Sequence, residues 1–142
     1  MKTFTLDIDY ECDFALFGLV SSTRDYTLAW TLNQALRLRF VKQPELLLNL
    51  LSRGRLVFTH YLYATETLTC RLLRNRSIAP YNLKKPFLAP DITEYDYLLA
   101  VTNGAGALAD DELLQCLTAL DAVQYACQLD QNTLKSKDNL LL

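Results

Sequence analysis

Glycine and proline are both scarce, with four of each in 142 residues. This excludes a collagen-like or low-complexity chain and leaves little material for a glycine-rich phosphate loop. Histidine is nearly absent, His60 being the only one. The four cysteines, Cys12, Cys70, Cys116 and Cys127, form no C-x-x-C pair. A four-ligand zinc site of ordinary spacing is therefore not expected. The chain opens without a long uncharged stretch, since Asp7, Asp9 and Glu11 fall where a signal peptide is apolar. A non-secreted, cytoplasmic protein with free, buried thiols is the expectation. Apolar runs are short, as in Leu46-Leu47-Leu48, so no membrane span is expected. No G-x-S-x-G, Walker A, G-x-G-x-x-G or H-E-x-x-H motif occurs, and neither a catalytic set, a metal nor a cofactor is expected.

Apolar residues make up 51% of the chain and charged residues 21%, enough to bury a core in one domain spanning 1–142. Phe4, Leu6, Ile8 and Tyr10 alternate with Thr3, Thr5, Asp7, Asp9 and Glu11, which predicts a half-buried strand. The carboxylates on its outer side read as a solvated face, with an oxygen-ligand cation site as the rarer alternative. Phe14 to Val20 predicts a further extended segment, with Gly18 marking a bend or bulge. Ser22 and Asp25 approximate a capping box ahead of a helix from about Thr23 to Leu38. Leu28, Ala29, Leu32, Ala35 and Leu36 form its apolar stripe, and Trp30 beside them is expected to pack. Residues 39–52 are ambiguous around Pro44.

Arg55–Tyr63 and Thr67–Asn75 predict a hairpin. A three-residue loop, Ala64-Thr65-Glu66, places His60 opposite Cys70, Leu62 opposite Leu68 and Phe58 opposite Leu72. The other face then carries Tyr61, Tyr63, Thr59, Thr69 and Arg71. Residues 76–91 predict an irregular connection, Tyr95–Val101 a strand, and Asp110 or Asp111 the cap of a second helix with a Leu113, Leu117, Leu120 stripe. A final strand follows around Val123–Cys127. The leucine-rich tail is expected to dock on its own domain or on a sister subunit. The architecture expected is α+β: a single domain with an antiparallel meander and two main helices packed on one face.

Charge is segregated along the chain: residues 1–52 carry a net −1, residues 53–85 a net +6 and residues 86–142 a net −7. Attraction between the middle and the C-terminal part is one reading, and a basic surface for an anionic partner the other. The outer hairpin face, with Arg55, Tyr61, Tyr63, Arg71, Arg74 and Arg76, is the candidate binding surface. Tyr and Arg suit a protein interface as well as RNA stacking. A Cys70–His60 nucleophile pair is the weaker alternative, set against a buried, locally bonded histidine.

Residues 89–97 read A-P-D-I-T-E-Y-D-Y. This resembles the signature of the IPExxxVDY family of small Bacteroidetes proteins, with Pro90, Asp96 and Tyr97 matching and Asp91 standing for Glu. Phe14–Asn33 and Leu129–Leu142 resemble the same family. The resemblance implies a cytoplasmic protein of unassigned role and carries over no catalytic residues. Pro90, Asp91, Asp96 and Tyr97 read as the start of a strand plus an ion pair between Asp96 and the basic 71–76 segment. The functional expectation is a non-enzymatic binding or adaptor protein that self-associates, as a homodimer for example. An RNA-associated accessory protein is the alternative, and a cryptic enzyme a weaker one.

Overall fold

Strand β1 (Ala15–Val20) is apolar on both sides, with Leu16, Phe17 and Leu19 fully buried. A strand of this kind belongs inside a sheet covered on both faces. The computed structural model, which describes residues 14–49, 55–78, 87–103, 110–130, 133–134 and 140, places it there. The other elements are α1 (Asp25–Leu36), β2 (Val41–Lys42), β3 (Leu46–Asn49), β4 (Arg55–Phe58), β5 (His60–Ala64), β6 (Leu68–Arg74), β7 (Tyr97–Asn103), α2 (Asp110–Thr118) and β8 (Tyr125–Leu129). The main sheet has six strands in the order β2-β5-β6-β7-β1-β8, paired antiparallel throughout. The fold is α+β, a single domain with an antiparallel meander and both helices packed against the sheet. The predicted N-terminal strand and its carboxylates lie outside the described residues.

One sheet face carries Phe17, Leu19, Tyr61, Cys70, Leu72, Tyr97, Leu99 and Val101. Against it pack Leu28, Ala29 and Leu32 of α1 and Leu113 and Leu117 of α2, at the helical spacing the sequence displays. The opposite face carries Leu16, Leu73, Leu98 and Ala100. It is covered by the two-stranded β3–β4 sheet through Leu56 and Phe58, by Leu88, Ala89, Ile92 and Tyr95, and by Leu140. Leu140 thus packs on its own domain.

Several local expectations are corrected. Gly18 makes no bulge, since pairing runs through it on both sides. It is glycine because a Cβ there would stand 2.6 Å from the Tyr95 ring. The N-cap of α1 is Arg24, which gives no side-chain cap. Asp25 accepts the Tyr61 hydroxyl instead, at 2.7 Å. Trp30 does not pack, and is 63% exposed.

The hairpin exists, but in another register. His60 opposes Leu73, and Cys70 opposes Tyr63. The cause is the turn. The Thr65 amide donates to the Leu68 carbonyl at 2.7 Å, and Thr65 Oγ1 accepts the Thr67 and Leu68 amides. A hydroxyl-stabilised two-residue turn at Glu66-Thr67 therefore replaces the three-residue loop. The slip is three residues, an odd number, so every β6 side chain changes its partner face. The predicted first strand also divides at Thr59, with β4 joining β3 and β5 joining the main sheet.

The 89–97 segment is corrected too. It is not the start of a strand but two successive turns, closed by Ile92 N–H to Ala89 O at 3.1 Å and Tyr95 N–H to Ile92 O at 3.4 Å. Pro90 occupies the second position of the first turn, where its fixed φ is favourable. The strand begins only at Tyr97, and Tyr95 packs on the far face beneath Gly18.

Candidate functional site

The surface expected on the hairpin does not assemble. Tyr61 is buried beneath α1, and burial followed by its bond to Asp25 pushes its phenol pKa up. Tyr63 packs against the same helix-side core. Arg71 points to the opposite face, where Nη1 lies 3.1 Å from His60 Nε2. Arginine can only donate, so Nε2 is the acceptor and the imidazole is neutral. Burial, with the Arg71 charge adding to it, lowers the His60 pKa accordingly. The Cys70–His60 pair is likewise absent, the two side chains lying on opposite sides of the sheet. Burial raises the Cys70 thiol to about 11, far from a reactive thiolate. Cys70, Cys116 and Cys127 are free thiols. Arg55 lies in β4, with its side chain outside the described set.

Four of the residues singled out in the sequence do come together elsewhere. Arg74 and Arg76, from the end of β6 and just beyond it, line a cleft with Asp96 and Tyr97. Its remaining walls are Ser21, Ser22, Thr23, Phe87 and Thr93, and its volume is about 230 Å³. The cleft opens beside the segment that leads from β1 into α1. That segment is held from several directions. Ser21 Oγ donates to the Ala122 carbonyl and accepts the Thr23 amide. The Ser22 amide donates to Gln124 Oε1 at 3.2 Å. The Tyr97 hydroxyl donates to the Thr23 carbonyl. Burial pushes the Tyr97 phenol up to about 12, against the opposing pull of Arg74, so it remains a donor.

Asp96 closes the other side. Its amide donates to the Leu19 carbonyl at 2.9 Å, and its Oδ2 accepts the Ser21 amide at 2.8 Å. The expected ion pair with the 71–76 segment is not made. Among the described residues the ion pair present is Lys42–Glu45, at 3.9 Å on the surface. Arg76 lies over the Phe87 ring at 5.8 Å, a contact that leaves its charge unneutralised.

Asn75 between the two arginines was missed by the sequence reading. It is fully buried and holds the 89–97 segment. Its Nδ2 donates to the Ile92 and Tyr95 carbonyls at 3.1 and 3.0 Å, and its Oδ1 accepts the Ala89 amide at 2.8 Å. An asparagine between two arginines gives no periodicity signal. The Ser21-Ser22-Thr23 run was visible but read as a helix cap. No family model and no curated protein matches the chain, so the likeness to the IPExxxVDY family rests on the residues quoted for it.

Proposed function

We propose that this chain is a non-enzymatic binding protein that takes a small anion in the Arg74–Arg76 cleft. One observation carries the reading: two guanidiniums line a single hydroxyl-walled cleft, and among the described residues neither is paired with an acid. Guanidinium forks recognise carboxylate or phosphate oxygens, and the Ser22 and Thr93 hydroxyls can add to them, whereas those of Ser21, Thr23 and Tyr97 already donate to backbone carbonyls. The size sets the ligand class. A volume near 230 Å³ falls below the roughly 300–1,000 Å³ of drug-sized sites.

The test is titration calorimetry at low salt with inorganic phosphate and, separately, acetate. Saturable binding is expected. Arg74→Gln should weaken it about tenfold or more, because a hydrogen bond to a charged group contributes roughly 1.5–3 kcal/mol. Arg76→Gln should weaken it less, since that side chain is exposed and screened. No saturable heat with either anion, or unchanged affinity in both variants, overturns the proposal.

A further inference from the structure

We infer that the ligand of this cleft is a zwitterion of the α-amino-acid class, its carboxylate on Arg74 and Arg76 and its ammonium on Asp96. The inference rests on the anion-binding reading above and deepens it. The cleft carries both signs of charge. Asp96 lines it together with the two arginines, yet it forms an ion pair with neither. One carboxylate oxygen is committed to the Ser21 amide, and the other has no hydrogen-bond partner among the described residues.

A plain anion held by the arginines would lie close to this carboxylate. Like charges in one cleft repel, and more strongly beside protein than in bulk water, because the effective dielectric is lower there. An ammonium on the same ligand reverses the sign of that interaction. A volume of about 230 Å³ suits a ligand as small as a single amino acid. The Phe87 ring supplies an apolar wall for a short side chain.

The test uses L-alanine, N-acetyl-L-alanine, L-alaninamide and L-alanyl-L-alanine as probes in calorimetry on the full chain. The N-acetyl probe removes the positive pole while adding an acyl group, whose bulk the Asp96→Asn comparison controls for, and the amide removes the negative pole. Wild type should bind L-alanine at least tenfold more tightly than either single-pole derivative. It should also prefer L-alanine to the dipeptide, whose charges stand further apart. Asp96→Asn keeps an oxygen for the Ser21 amide, and a thermal melt checks that it folds. This variant should lose about tenfold for L-alanine while binding N-acetyl-L-alanine and phosphate as well as wild type does, or better. Equal affinity for L-alanine and its N-acetyl derivative, or an equal effect of Asp96→Asn on both, overturns the zwitterion. Arginine-dependent phosphate binding under that outcome leaves the anion-binding reading standing. Failure of every probe, phosphate included, removes both.

Discussion

At the scale of the residue, Gly18 and His60 show how single side chains are constrained by what faces them. Gly18 lies beneath the Tyr95 ring, whose carbons stand 2.6–2.9 Å from a built Cβ. The ring is not free to move aside, because its hydroxyl contacts Cys127 Sγ at 2.9 Å. Gly18→Ala should therefore lower stability by about 1–3 kcal/mol in a urea melt, as overpacking does. A Tyr95→Leu background should relieve part of that loss. Strict additivity of the two changes would show that the ring contact is not the cause.

His60 is the only histidine, which makes its titration separable from the rest of the chain. Its native pKa is lowered from 6.5 by burial and by Arg71. The unfolded chain thus takes up the proton first as pH falls. The stabilisation from a neutral His60 is complete above about pH 6.5 and is lost progressively below it, toward the lower native value. Urea midpoints should fall between pH 7.5 and pH 5.5. His60→Gln, which keeps a carbonyl oxygen for Arg71, should flatten that part of the profile. An unchanged slope in the variant would assign the pH dependence to the carboxylates.

At the scale of the element, the 89–97 segment shows what holds an irregular stretch in one shape. Its two turns close around Asn75, which meets the Ala89 amide and the Ile92 and Tyr95 carbonyls with one buried amide group. Its backbone adds bonds to Asp96 and Leu88. Asn75→Ala removes the partner of the Ala89 amide and the Tyr95 carbonyl, and leaves the Ile92 carbonyl only its long bond from the Tyr95 amide, which should cost about 2–3 kcal/mol or more. Hydrogen exchange at the Ala89 amide should speed up beyond the global change, and exchange that tracks only global stability would count against the clamp. The segment also carries Asp96 into the cleft, so the preference for L-alanine over its N-acetyl derivative should shrink in the same variant.

The hairpin makes the complementary point. Its two strands were legible from β-branched and aromatic residues, and so was the approximate turn. The register was not, because polar and apolar positions divide acceptably in two pairings. Three hydrogen bonds at Thr65 select the observed one. Once selected, Tyr61 and Tyr63 go beneath the helices, and the surface that would have stacked on RNA bases is gone.

At the scale of the molecule, the sheet is covered twice, by helices on one face and by β3–β4, the 88–95 stretch and Leu140 on the other. That second cover explains why β1 and β7 are apolar on both sides. Leu140, 3% exposed, is the tail's contribution to it. Leu140→Ala should destabilise by roughly 2–4 kcal/mol in a thermal or urea melt, within the range for large-to-small changes in a core. A change under 0.5 kcal/mol, the scale of surface substitutions, would show that the tail is not part of the fold in solution.

Composition and periodicity alone determined the α+β class and the apolar faces of both helices, because spacings of two and 3.6 residues are local properties of the chain. Tertiary structure alone decided the register, the two-sided cover and the cleft. The cleft draws Ser21–Thr23, Arg74, Arg76, Phe87, Thr93, Asp96 and Tyr97 from stretches far apart in sequence. No local pattern links them; they meet because β1 and β6 finish, and β7 starts, at the same end of three neighbouring antiparallel strands, with Tyr97 paired to Leu19 on one side and Arg74 on the other.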